Sequence, residues 1–335
     1  MSSTRAGRAA TGLILLLLTA CGGPSEGEPV RITVPRGSGL GAVSDTLANR
    51  DVVQWPFGFR LYARFRGAER SIKPGVYEVQ PGASWATLLD KLTSGDVVTQ
   101  RIVVPEGWTA RQIASRLSPL TGVPEDSIAR LLADSTVAEQ HGVPGPTLEG
   151  YLYPASYNVP LGTPLEEIIR GMVRTYQQAW TPEMRARADS LGMSERAVVT
   201  LASIIEAEAR VWGERDTISA VYHNRLRRGM RLQADPTVQY ALGQRQARLL
   251  YAHIDDVADH PYNTYSHAGL PPGPIASPSR GAIEAALDPA DVDFLFFVAR
   301  PDGTHIFTRT YAEHNAARRQ LRQQARQVES EAPSR

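Results

Sequence analysis

The sequence predicts an α+β protein: a small βα domain at residues 30–118 followed by a larger mixed α/β domain at 119–320. Three observations carry this. Strand–turn–helix units recur before residue 118. Beyond it, apolar residues spaced three and four apart dominate. The chain has 335 residues and is 42% hydrophobic, which suits two cores better than one.

The first 20 residues read as a leader to be removed. Arg5 and Arg8 precede the apolar run Gly12–Leu18, which falls short of the ~20 apolar residues a membrane span needs. Leu18-Thr19-Ala20-Cys21 has the form of a bacterial lipobox, which makes Cys21 the expected lipidation site; the alternative is an unmodified Cys in an ordinary leader. Cys21 is the only cysteine, so no intrachain disulfide and no Cys-based metal site can form. Residues 21–29, rich in Gly, Glu and Pro, read as a tether. The expected location is therefore the membrane surface, lipid-anchored and facing the periplasm or exterior. A net charge of +1 implies no strong field and no nucleic-acid partner.

In the first domain, Val30–Val34, Gly75–Val79 and Arg101–Val104 read as strands. Each is followed by a Pro/Gly turn and a segment with leucines or isoleucines on one face. In the second, Leu148–Tyr157 holds three tyrosines, which suit either a sugar-binding groove wall or a half-buried strand. Helices are expected from Thr163 or Pro164 to Trp180, from Pro182 to Gly192, and from Thr217 to Arg228. Asp235 is a plausible N-cap for a helix that begins at Pro236. Residues 262–275 form a Pro/Gly loop too long to be mere connection. Ser279 caps a further helix. Phe294–Val298 reads as a buried strand, turned by Gly303 into a second strand at 305–307, before an Arg/Gln-rich helix and a polar tail at 321–335.

The stretch that organises the chain is Leu201–Arg210. Ser194 is positioned to cap its helix, and an apolar stripe runs through Val198, Leu201, Ala202 and Ile205. Glu206 and Glu208, two apart, point roughly 200° away from each other and cannot share a site. Ala202 and Ser203, one turn before Glu206, leave room for a bulky ligand. The plain alternative for Glu206 is a solvated ion pair with Arg210 at i+4.

Six segments in this order resemble the YceG-like family of endolytic murein transglycosylases: LEGYLYPASY (148–157), LASIIEAEA (201–209), RDTISAVYHNRL (215–226), MRLQADPTVQYAL (230–242), YNTYSHAGLPPGPIASP (262–278) and FLFFVARPDGTHIFTRTYAEHN (294–315). The resemblance implies a LysM-like N-terminal domain and a lyase. That lyase cleaves the β-1,4 bond between N-acetylmuramic acid and N-acetylglucosamine in nascent strands and leaves a 1,6-anhydro end. It implies Glu206 as the catalytic residue, with Gln233, Asp235, Tyr262, Asn263 and Tyr265 binding substrate. Glu149 is a second acid, a groove residue or a turn residue. Peptidoglycan strands, the membrane and peptidoglycan synthases are the implied partners, and no cofactor is required.

One acid can suffice, because the sugar's own 6-hydroxyl replaces water as nucleophile; a hydrolase needs two carboxylates. The competing readings are such a hydrolase, with Asp235 or Glu149 as second carboxylate, and a peptidoglycan-binding lipoprotein without catalysis. No His-x-x-x-His spacing points to a metal, and no Gly-x-Ser-x-Gly to a serine nucleophile.

Overall fold

The computed structural model describes residues 28–247 and 249–331. The leader and Cys21 lie outside the described residues. Two compact units form: residues up to 101 with 158–163, and 102–157 with 164 onward. The division falls inside a strand rather than at residue 118, because the helix after that strand packs on its successor in the second unit.

The first unit holds β1 (Val30–Val34), α1 (Leu40–Asn49), α2 (Pro56–Phe65), β2 (Gly75–Val79) and α3 (Trp85–Ser94). β1 and β2 pair antiparallel, Val30 opposite Val79 and Val34 opposite Gly75. Alternation turns Ile32, Val34, Tyr77 and Val79 inward, onto Val43 and Leu47 of α1, Phe59 of α2 and Leu88 and Leu92 of α3. Ser84 Oγ caps α3 by accepting from Thr87 N at 3.2 Å, and Gly95, at φ +78°, ends it. α2 was not expected from the sequence. Its apolar residues fall on both of its faces, which blurs the helical period.

β3 (Thr99–Val104) leads into the second unit and pairs with β4. There follow α4 (Ala110–Thr121), α5 (Glu125–Leu132), α6 (Ser135–Gln140), β4 (Ala155–Pro160), α7 (Leu165–Ala179), α8 (Pro182–Ser190) and α9 (Glu195–Glu208). α10 (Arg215–Arg227), α11 (Asp235–Ala241), α12 (Tyr251–Asp256), α13 (Arg280–Leu287), β5 (Phe296–Ala299), β6 (His305–Thr308) and α14 (Tyr311–Glu331) complete it. α9 is the central helix, with α8, α10, α11 and α13 packed around it. Every residue from Val198 to Ile205 is buried, Thr200 and Ser203 included, so burial runs round the full circumference rather than along the expected stripe.

Three other expectations change. Tyr151 is wholly buried with its ring edge-on to Tyr176 at 5.1 Å, and the strand begins only at Ala155, so Leu148–Pro154 is core and turn and the expected half-buried strand holds only from Ala155. β5 is half-buried rather than sealed, because among the described residues its one strand partner is β6. The C-terminal helix continues into the expected tail as far as Glu331. Among the described residues no helix is long and apolar enough to cross a membrane.

Candidate active site

α9 starts where Ser194 Oγ accepts from Ala197 N at 3.2 Å. Its last turn presents Glu206 and Glu208 to different neighbours, as their spacing requires.

Glu206 lies at a junction of three helices. Its Oε1 accepts from Arg215 Nη2 at 3.0 Å, at the start of α10. Its Oε2 accepts from Ser279 N at 3.1 Å and from the Ser279 hydroxyl. Ser279 Oγ also accepts from Ala282 N at 3.2 Å and so caps α13. The Glu206 and Arg215 side chains are 9% and 6% exposed, and the Arg215 guanidinium lies 4.1 Å from the ring centroid of Trp212. Arg210, the expected ion-pair partner, is exposed and not bonded to Glu206. The small residues before Glu206 do not open a path either. Ser203 is fully buried and its Oγ accepts from Ile275 N at 3.0 Å, so the Pro/Gly loop covers that face. The turn after β3 approaches from another side: Gly107 N donates to Ser277 O, and Ser277 N to Trp108 O, both at 2.8 Å. That brings Glu106 close enough for burial and the Glu206 charge to raise its pKa, against the opposing pull of Arg215.

Glu208 has a different setting. The Tyr222 hydroxyl donates to its Oε1 at 3.0 Å. Burial raises the Glu208 pKa from 4.5 to about 7, the charge of Asp235 adds to the rise, and the Tyr222 bond opposes it. Asp235 is the first residue of α11 and not its cap; its Oδ1 accepts from the Tyr265 hydroxyl at 2.5 Å. Tyr265 in turn feels the Glu208 charge. Gln233 and Asp235 are exposed, while the chain between and beyond them is fastened. Gln233 N donates to Thr264 O at 3.2 Å, Ala234 N to Thr264 Oγ1 at 3.0 Å, and Arg225 Nη1 to Leu232 O at 2.7 Å and Gln233 Oε1 at 3.4 Å. Gln233 sits at φ +52°, a left-handed conformation uncommon for a side chain of its size.

The structure therefore gathers Gln233, Asp235 and Tyr265 on the Glu208 side. Asn263 is fully buried. Its Nδ2 donates to the carbonyls of Ile254 and Val257 at 3.0 and 3.1 Å, and its Oδ1 accepts from Tyr265 N at 2.9 Å. It shapes the loop that carries Tyr265. Glu149 and Tyr262 belong to a second cluster. Glu149 is buried, accepts from Ala110 N at 2.8 Å at the start of α4 and bonds the Tyr240 hydroxyl; burial brings its pKa to about 7. Tyr262 packs its ring 4.8 Å from that of Tyr240.

Sequence reasoning did not single out Tyr222, Arg215, Ser279 or Glu106 as site residues. Tyr222 looked like one more inward residue of α10. The signal for it was present: Tyr222 lies fourteen residues from Glu208, on the next α-helix in the chain.

The YceG-like family matches residues 32–320. An endolytic murein transglycosylase of Bacillus subtilis is 36% identical over 309 residues, covering 86% of this chain and 84% of that protein. One from Streptococcus pneumoniae serotype 2 is 30% identical over 299 residues; the match covers 81% of this chain but 54% of the pneumococcal protein, about half its length. The crystal structure of a yceG-like protein from Listeria monocytogenes aligns with a TM-score of 0.60 at 32% identity, over 86% of this chain and 98% of that one.

Proposed function

The chain belongs to the YceG-like family, and from that premise we propose that it is an endolytic murein transglycosylase, a lyase that cuts peptidoglycan strands internally. In the finer reading the bond is the β-1,4 linkage from N-acetylmuramic acid to N-acetylglucosamine, the product carries a 1,6-anhydro end, and the cut terminates a nascent strand.

We assign the acid/base role to Glu208 in place of Glu206. The observation that carries this is the contrast between the two carboxyls. Both oxygens of Glu206 already accept from Arg215 and Ser279, so meeting a glycosidic oxygen would break the junction of α9, α10 and α13. Glu208 has one hydrogen-bond donor, and a pKa near 7 that suits both halves of the reaction. Protonated, it gives its proton to the leaving oxygen as the glycosidic bond breaks. Ionised, it takes the proton of the 6-hydroxyl as that oxygen bonds to the anomeric carbon. Asp235, with Tyr265 fixing its direction, places negative charge where positive charge develops on the sugar ring. Gln233 and Tyr265 position the sugars, with Asn263 behind them. Glu149, Tyr240 and Tyr262 brace the start of α4 and the Pro/Gly loop.

Asp235 beside Glu208 also fits a hydrolase, in which the second carboxylate activates water or attacks directly. Product ends separate the two readings. Mass spectrometry of peptidoglycan digested by the chain from residue 22 onward is expected to give anhydro-ended fragments; reducing ends would move the assignment to a hydrolase.

The remaining parts of the proposal concern place and company. Cys21 carries the lipid that tethers the enzyme outside the cytoplasm. The first unit is LysM-like, a reading supported by its strand–helix–helix–strand order and separate core. A peptidoglycan synthase supplies the nascent strand.

A further inference from the structure

Helix α2 is apolar on two faces. Phe59 and Ala63 turn inward and are fully buried. Phe57, Leu61 and Phe65, at i, i+4 and i+8, form a second row that is 62%, 58% and 88% exposed. Trp55, 57% exposed, extends the row at the helix start. It lies over Gly58, where a Cβ would fall 2.3 Å from its ring, and stands 6.0 Å from Trp85. Single exposed apolar side chains are ordinary; three large ones aligned on a ten-residue helix, with a fourth at its N-cap, are not.

The row is bordered by positive charge. Residues 50–73 hold six Arg or Lys against two acidic residues, in a chain whose net charge is +1. Arg64 bonds Glu69 at 3.4 Å and Arg66 bonds the Tyr62 hydroxyl at 2.9 Å. Both are exposed contacts of small worth, readily exchanged for another anion.

We infer that α2 docks on a lipid bilayer containing anionic headgroups, with the Phe57–Leu61–Phe65 row in the interface and Arg64 and Arg66 on lipid phosphates. An aromatic and leucine row flanked by arginines is the composition that partitions into this region. Between residues 52 and 73 Glu69 is the single acidic residue, so no charge on this stretch besides it opposes the approach. Chain length agrees: β1 begins nine residues after Cys21, a reach of about 30 Å when extended. The biological setting rests on the proposed lipid anchor; the affinity of the helix face for lipid does not. Its effect is to orient the first unit on the membrane.

The test uses the chain from residue 22 onward, which lacks Cys21 so that no lipid contributes, sedimented with phosphatidylcholine vesicles with and without phosphatidylglycerol. Binding is expected on the anionic vesicles, weakened about tenfold or more by F57S/L61S/F65S and severalfold by R64Q/R66Q or raised salt. Because a triple variant can misfold, a second readout uses the intact face: brominated lipid is expected to quench the tryptophan fluorescence of the bound parent, and W55F to remove much of that quenching; quenching absent from the parent, or unchanged in W55F, overturns the inference. No binding to anionic vesicles, or equal binding by parent and both variants, overturns the inference. Cys21→Ser in the full chain, followed by membrane fractionation, tests the anchor separately.

Discussion

The Tyr222 hydroxyl on α10 donates to Glu208 Oε1 on α9 at 3.0 Å, and this bond opposes the rise that burial imposes on the Glu208 pKa. Removing it frees that rise. In Tyr222→Phe the ring and its edge-on contact with Phe297 at 5.8 Å are kept, while the hydroxyl is lost. The alkaline limb of the pH–activity profile is expected to move upward by about one unit. A pH series of initial rates on purified glycan strands measures it; an unmoved limb would detach Tyr222 from the acid.

The wild-type profile follows from the same group. With a pKa near 7, Glu208 loses its proton as pH rises through neutrality. Activity is expected to fall about tenfold per unit well above that value. A profile flat from neutrality to pH 9 would exclude Glu208 as the proton donor.

Glu149 gives a stability prediction with a definite sign. Its folded pKa, about 7, lies above its ordinary 4.5, so the folded state binds more protons between those values. The contribution of Glu149 to stability is therefore greatest below about 4.5, declines as pH rises through the window, and levels off above about 7, with a limit on the order of 3 kcal/mol. Glu149→Gln keeps an acceptor for Ala110 N and has no charge to bury. Urea unfolding at pH 5 and pH 8 should show a smaller difference for the variant than for the parent.

Arg215 and Glu206 form a nearly closed ion pair. Arg215→Met strands the carboxylate and should cost about 3–5 kcal/mol of unfolding free energy. Adding Glu206→Gln to it should recover part of that loss, because the uncompensated charge is gone. Additive losses in the double-mutant cycle would mean the pair is not coupled.

Much of this arrangement was readable in the chain. The strand at Val30–Val34, the caps at Ser194 and Ser279, and the opposed directions of Glu206 and Glu208 follow from alternation, side-chain chemistry and helical geometry, and all are found. What sequence could not give is which carboxyl meets a cation. Arg210 at i+4 was the local candidate, but tertiary packing turned Arg215 inward under Trp212. Asp235 looked like a cap because Pro236 follows it; the helix starts one residue earlier and frees the carboxylate for Tyr265. The burial of Ser203 depends on the loop at 275, 72 residues away. Local patterns do not carry such contacts.

The most direct test of the acid assignment is product analysis with Glu208→Gln and Glu206→Gln side by side, each checked for native circular dichroism. The account predicts that Glu208→Gln loses anhydro-ended products by a factor of about 10² or more, whereas folded Glu206→Gln retains them. Loss confined to Glu206→Gln, with Glu208→Gln active, would contradict it and return the proton donor to Glu206.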